Sequence, residues 1–287
     1  MKYFGTDGIR RIANTELTPE LVYKVAKAGA YALAKHLNHA PTILIGRDTR
    51  ISGTLIESAM TAGFLSYGAN VKLVGVIPTP GIAYLTKKLK ADASVVISAS
   101  HNKYDFNGIK FFSNKGMKIP DEIEKEIEAI LDSNQIEKLT APSNKIGVSE
   151  NREDLLDEYL YFFRKTFEDE FENLNKENFK VAIDTANGAT SVIADKVYTA
   201  LGIQHYIINN EPNGININDN CGSTHLDMLK KYVVDNNCNL GIAYDGDGDR
   251  CLAVDQYGNE IDGDVIMAIV SSYLKEKGEL KNNSLVA

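Results

Sequence analysis

The stretch "YDGDGDR" (244–250) places Asp245, Asp247 and Asp249 at alternate positions directly after an apolar run. In extended chain, alternate side chains share one side, and the intervening glycines let the backbone curve until the carboxylates converge. Converging carboxylates repel unless a cation sits among them, and an all-oxygen donor set suits Mg²⁺. A calcium EF-hand does not fit, because its sixth position would be Arg250 instead of glycine and its twelfth Gln256 instead of glutamate. A second polar cluster, "SASHN" (98–102), closes another apolar run. Read alone, Ser100 beside His101 is more often a turn residue than a nucleophile, and no GxSxG elbow supports a hydrolase. Lys110 follows on a strand expected to pair with the one before Ser100, which would bring it near. Five of the seven arginines (Arg10, Arg11, Arg47, Arg50 and Arg250) lie in three Gly- and Asp-containing stretches, where guanidinium forks match phosphate or carboxylate oxygens. A serine, a cation site and clustered arginines together point to phosphoryl transfer, which depends mainly on positioning and charge neutralisation.

Plainer readings stand beside these. Arg10 in "GTDGIRR" fits a surface turn as well as an anion site, and Arg47 and Arg50 in "GRDTRISG" lean towards bracing structure. His225 in "CGSTH" reads as a helix start, and the acidic run 121–128 as a solvated helix face.

The elements that must position these groups alternate between strand and helix. Helices are expected over 17–37, 53–68, 81–90, 120–133, 152–172, 188–202, 226–236 and 264–277. Strands are expected at 42–46, 71–76, 94–98, 108–112, 180–184, 205–209, 240–245 and 251–255, with the start of another in "SLVA" at the end. The run 108–112 follows 94–98 too closely for a helical crossover, so those two should pair antiparallel. A loop over 139–151 separates two βα series. The expected fold is therefore α/β, with two complete three-layer α/β/α domains on mixed, mostly parallel sheets. Domain I would span 1–150 and domain II 151–255, with 256–287 the incomplete start of a third.

The whole chain narrows the function classes. Its 287 residues are 44% hydrophobic and 24% charged, as in ordinary globular proteins. A net charge of −8 argues against nucleic-acid or anionic-membrane partners. Three cysteines without CxxC spacing suit reduced thiols, and the absence of a signal-like or spanning apolar run makes a cytoplasmic location the expectation.

Taken in order, "GTDGIR", "GRDTRISG", "ISASHN…NGIKFF", "NIN…CGSTH" and "DGDGDRC" resemble the α-D-phosphohexomutase superfamily, from residue 5 to the last residues, and most closely its glucosamine-phosphate members. The resemblance implies that Ser100 carries a phosphate and passes it to glucosamine 6-phosphate. A bound 1,6-bisphosphate then reorients and returns its 6-phosphate, leaving glucosamine 1-phosphate for cell-wall precursor synthesis. It implies Mg²⁺ held by Asp245, Asp247, Asp249 and a phosphoserine oxygen, with glucose or glucosamine 1,6-bisphosphate as activator. Arg10, His101, Asn102 and Lys110 would surround the phosphoserine, and Arg250 would lie near the substrate. Lys110 would be the general acid/base, its pKa lowered by nearby cations. The implied partner is a small hexosamine phosphate, and a homodimer is allowed.

Three departures qualify the resemblance. Lys103 stands where the family's serine loop usually has proline, and Arg11 where the opening motif usually ends in glycine. Arg11 would be strained if that position needs positive φ. The family has four domains, so the specificity loop of the third and the phosphate loop of the fourth are missing. The expectation is a shortened chain that binds Mg²⁺ and accepts phosphate but turns over sugar phosphate poorly. A phosphomannomutase or phosphoglucomutase, or a non-catalytic pair acting in oligomerisation or regulation, are the alternatives.

Overall fold

A computed structural model describes residues 2–133, 135–172 and 176–286. The chain opens with a hairpin, β1 (Phe4–Gly5) and β2 (Gly8–Ile12), where the sequence suggests only a turn. Then follow α1 (Pro19–Ala34), β3 (Thr42–Arg47), α2 (Gly53–Tyr67), β4 (Asn70–Val76), α3 (Thr79–Lys88), β5 (Ala93–Ile97), β6 (Phe106–Ser113), α4 (Asp121–Leu131) and β7 (Ser149–Asn151). Thr18 caps α1 by accepting from the Leu21 amide at 3.3 Å, and Pro19 occupies the first turn, where its missing N–H is no loss.

These strands form a seven-stranded sheet in the order β1-β2-β6-β5-β3-β4-β7. Neighbours from β5 to β7 run parallel, and those from β1 through β6 to β5 run antiparallel. The expected antiparallel pair is present, with Val96 opposite Lys110. The pleat alternates side chains between faces. Ile43, Ile45, Val95 and Ile97 pack with α1 and α2, whereas Leu44 and Val96 pack with α3 and with α5 (Leu155–Glu172). Burial on both faces explains why these strands read as continuous apolar runs.

The second unit continues with β8 (Lys180–Asp184), α6 (Ala194–Ala200), β9 (Gln204–Ile208), α7 (Asp227–Asp235), β10 (Leu240–Tyr244), β11 (Cys251–Asp255), β12 (Glu260–Ile261) and α8 (Gly263–Glu276). Its five-stranded sheet has the order β12-β11-β10-β8-β9, parallel from β10 to β9 and antiparallel elsewhere. Ala182, Ala243 and Val254 pack on α7, and Val181, Ile183 and Ile242 on α6. The molecule thus has two three-layer α/β/α units. The helix expected over 188–202 is broken, with a 3₁₀ turn at Ala189–Val192 before α6. The strand expected in "SLVA" does not form over 284–286, because a strand exists only through pairing and none among the described residues reaches it; Ala287 lies outside them. No helix is long and apolar enough to cross a membrane among the described residues.

Candidate active site

Ser100 follows β5, and the aspartate loop follows β10, so both sit at carboxyl ends of strands, where ligands gather in open α/β sheets. The two loops meet. Ser100 is 2% exposed and donates from Oγ to Asp245 Oδ2 at 2.6 Å, while Arg250 Nη2 donates to the same Oγ at 2.5 Å. Gly246 makes this approach possible, since a Cβ there would stand 2.6 Å from the Ser100 carbonyl oxygen.

Ser100 adopts φ +52, a region non-glycine residues seldom occupy. Its loop is braced from both units. The Arg50 guanidinium, fully buried, donates to the carbonyls of Ser100 at 3.0 Å, Asn102 at 2.9 Å and Phe106 at 3.1 Å, and to that of Lys103. Asp48 balances its charge at 2.8 Å and accepts from Ser98 Oγ, which in turn accepts from the Ser100 amide. From the second unit, Asn218 Nδ2 donates to the Ser100 and Asn102 carbonyls at 2.8 and 2.9 Å. Arg50 is therefore a brace, as its sequence context suggests. Arg47 faces away and pairs with Glu57 at 3.5 Å.

The three aspartates converge, with ligand oxygens within 4.8 Å of one another, a group able to hold a metal ion. Asp247 Oδ1 is buried without a hydrogen-bond partner, the deficit a cation would fill. Burial and the Asp247 charge push Asp245 up to about 6. Burial opposes the charge on Asp247 as well, but Lys110 and a 2.6 Å bond from Thr79 Oγ1 outweigh it and hold the carboxyl below its ordinary range. This hard-oxygen set fits Mg²⁺.

Lys110 joins the same cluster. Its Nζ lies 2.8 Å from Asp7 Oδ2, 3.0 Å from Asp247 Oδ2 and 3.2 Å from Asp249 Oδ2. The lowered pKa expected for Lys110 is overturned. Burial works against its charge, but Asp247, Asp249 and Asp7 outweigh burial, and the pKa is raised. Its near neighbours are carboxylates, whereas the expectation assumed cations. Arg10 on β2 donates to Asn102 Oδ1 at 3.0 Å. Arg250 also reaches the His101 ring, whose pKa is lowered by burial and then by Arg250 and Arg10. Ser100, His101, Asn102, Arg10, Lys110, the three aspartates and Arg250 are thus gathered in one place.

A family model described as phosphoglucomutase/phosphomannomutase, α/β/α domain I, matches residues 1–138, and the model for domain II matches 157–258. The chain belongs to the phosphoglucomutase/phosphomannomutase family. Among curated relatives, phosphoglucosamine mutase of Acetivibrio thermocellus is 50% identical over 287 residues, which are 100% of this chain and 63% of that protein. Phosphoglucosamine mutase of Clostridium acetobutylicum is 51% identical over 286 residues, 99% of this chain and 62% of that protein. The chain therefore spans less than two thirds of the length of these relatives. A solved phosphoglucomutase/phosphomannomutase family protein from Burkholderia thailandensis shares the fold, with a TM-score of 0.78 at 22% identity over 96% of this chain and 59% of that one.

Neither Arg11 nor Lys103 needs a positive φ. Arg11 lies within β2 opposite Asn107, is not among the positive-φ residues, and donates to the Lys2 carbonyl at 2.8 Å. Lys103 is exposed and also has no positive φ. His225 precedes α7, its ring is 3.1 Å from Thr224 Oγ1 and its amide donates to the Gly222 carbonyl at 3.0 Å, in keeping with a helix start. The acidic run is not simply solvated. Glu124 is 1% exposed and pairs with Lys118 at 3.4 Å, and Glu128 accepts from the Tyr3 and Phe4 amides at 2.6 and 2.9 Å. Asp7 and Asn218 were also missed as members of the site, although both fall inside quoted motifs.

Proposed function

We propose that this chain carries the phosphoryl-transfer half of a phosphoglucosamine mutase, which interconverts glucosamine 6-phosphate and glucosamine 1-phosphate. The observation that carries the reading is the Ser100 hydroxyl, hydrogen-bonded to both Asp245 and Arg250 at the edge of a convergent aspartate cluster. In the reaction, a sugar hydroxyl oxygen attacks the phosphorus of phosphoserine 100, the bond from phosphorus to Ser100 Oγ breaks, and the hydroxyl proton ends on the released Ser100 Oγ. The bound 1,6-bisphosphate reorients and returns its other phosphoryl group to Ser100 by the reverse step.

Arg250, in contact with Ser100 Oγ, would offset the charge on the transferring phosphoryl group, and Arg10 would steady it through Asn102. His101, with its pKa lowered, stays neutral near pH 7 and can share a hydrogen bond without adding charge. Lys110, held as ammonium by three carboxylates, suits the role of a fixed cation, because its raised pKa works against giving up a proton. Asp245, Asp247, Asp249 and a phosphoserine oxygen would hold Mg²⁺, whose chemistry is to neutralise phosphoryl charge. Glucose or glucosamine 1,6-bisphosphate would charge the serine.

Intact-mass measurement after incubation with glucose 1,6-bisphosphate and Mg²⁺ tests this reading. The expected result is a gain of one phosphoryl group, absent in Ser100→Ala. No gain by the unaltered chain, or an equal gain by Ser100→Ala, overturns it.

A further inference from the structure

The Lys110 ammonium is shared by carboxylates from two distant parts of the chain. Asp247 and Asp249 belong to the convergent cluster, whereas Asp7 comes from the turn between β1 and β2 and lies outside it. Lys110 bonds Oδ2 of Asp247 and of Asp249, which leaves Asp247 Oδ1 to a divalent cation, but the two cations then share these carboxylates and repel each other at such short separations. A divalent ion entering the cluster therefore weakens the hold of Asp247 and Asp249 on Lys110. The lysine side chain is 5% exposed, so it cannot retreat into water, and an unpaired buried charge is strongly unfavourable. Asp7 is already the nearest of the three carboxylates.

The turn that carries Asp7 is anchored independently of the aspartate loop. Lys118 Nζ donates to the Thr6 carbonyl at 2.8 Å and pairs with the buried Glu124, while Glu128 holds the amides of Tyr3 and Phe4. Gly8 has φ +81 and packs so closely on the Ile109 carbonyl that no side chain fits. Beside this turn is a cavity of about 140 Å³ lined by Asp7, Thr79, Lys110, Lys118, Glu124 and Asp249, among others. It gives the flexible lysine stem room to move while Asp7 stays in place.

We propose that Asp7 is the carboxylate that takes over Lys110 when a divalent cation enters the aspartate cluster. Lys110 is then an internal counter-ion that holds the cluster together without metal and moves aside with it, and Asp7 is a positioning residue. This inference rests on the metal reading above.

Mn²⁺ titration followed by the electron paramagnetic resonance of the free ion, with Mg²⁺ as competitor, tests it without reference to activity. Four proteins are compared: the unaltered chain, Asp7→Asn, Lys110→Gln and the double variant. Asp7→Asn should weaken Mn²⁺ binding by about three- to tenfold, because Lys110 then has only the metal carboxylates to pair with. In the Lys110→Gln background the same change should alter affinity by less than about twofold. Asp7→Glu, which keeps the charge, should restore most of the affinity. Equal weakening in both backgrounds would show that Asp7 acts only as a distant charge and overturns the proposal, as does no weakening in either. Absence of Mn²⁺ binding by the unaltered chain removes the metal reading itself, and this inference with it.

Discussion

The serine loop (98–106) and the aspartate loop (245–250) each follow the carboxyl end of a strand and touch across the two units, but they are held by different forces. In the serine loop, carbonyl after carbonyl is satisfied by Arg50 and Asn218, and the one buried charge is balanced by Asp48. That bracing sustains a backbone angle at Ser100 worth about 1–3 kcal/mol of strain. The aspartate loop is left incomplete. Asp247 Oδ1 has no partner, and Asp245 is pushed up to about 6 by burial and its neighbour. One loop presets the position of a nucleophile through main-chain hydrogen bonds, and the other stores a charge deficit that favours cation binding.

Substitutions on each side can break or sharpen this contrast. Arg50→Met should have the largest effect, because it leaves the Asp48 charge buried without its ion-pair partner and takes one donor from each of four carbonyls. A loss of about 3–5 kcal/mol is expected in urea unfolding, and a loss below about 1 kcal/mol would mean that Arg50 does not hold the serine loop. Asp247→Asn tests the opposite side. The unaltered chain should gain about 2.7 kcal/mol at Mg²⁺ concentrations of about 100 times Kd, seen as a rise in unfolding midpoint, and the variant should show little of it. A full Mg²⁺ response in Asp247→Asn would show that the cation binds elsewhere. Asn218→Ala should be milder, about 1–2 kcal/mol, because Arg50 still serves both carbonyls. A loss as large as that of Arg50→Met would place the main brace in the second unit.

The smallest effect concerns Glu124, which lines the cavity beside Asp7. Burial raises its pKa, with Lys118 opposing, so the folded chain favours the protonated form. Its stabilising contribution is full below the ordinary carboxyl pKa and is lost as pH rises through the raised value. Glu124→Gln keeps a neutral side chain at every pH and should flatten that part of the stability profile. An unchanged slope would assign it to other carboxyls.

The sequence shows most of the βα alternation because strands buried on both faces leave long apolar runs, as in "TILIG" and "SVVIS". It misses β2 because "GIRRI" interrupts its apolar residues with two arginines, a pattern fixed only by pairing with β6. The aspartate cluster is legible from its alternation with glycines, although the carboxylates converge through a turn, with Gly248 at φ +67 donating to the Asp245 carbonyl. The state of Lys110 is not, since the sign of its shift depends on Asp7 and the aspartate loop, which approach it only in three dimensions. Glu124 and Glu128 are hidden for a related reason. Within an acidic helix nothing local marks the residues that face the N-terminal strand. Asn218 could have been suspected inside "NIN", but its donation to carbonyls more than a hundred residues away has no local sign.

The bond between Ser100 Oγ and Arg250 Nη2 joins residues 150 positions apart. At about 5–20 residues per second, a ribosome makes Ser100 roughly 8–30 s before it makes Arg250. Early in that interval the serine loop can close on Asp48 and Arg50, which come before it, whereas Asn218 follows Ser100 by 118 residues and Asp245 by 145. The nucleophile is shaped early in synthesis and gains its chemical surroundings late. Nascent chains arrested before residue 245 should therefore expose a folded serine loop that 1,6-bisphosphate leaves unmodified.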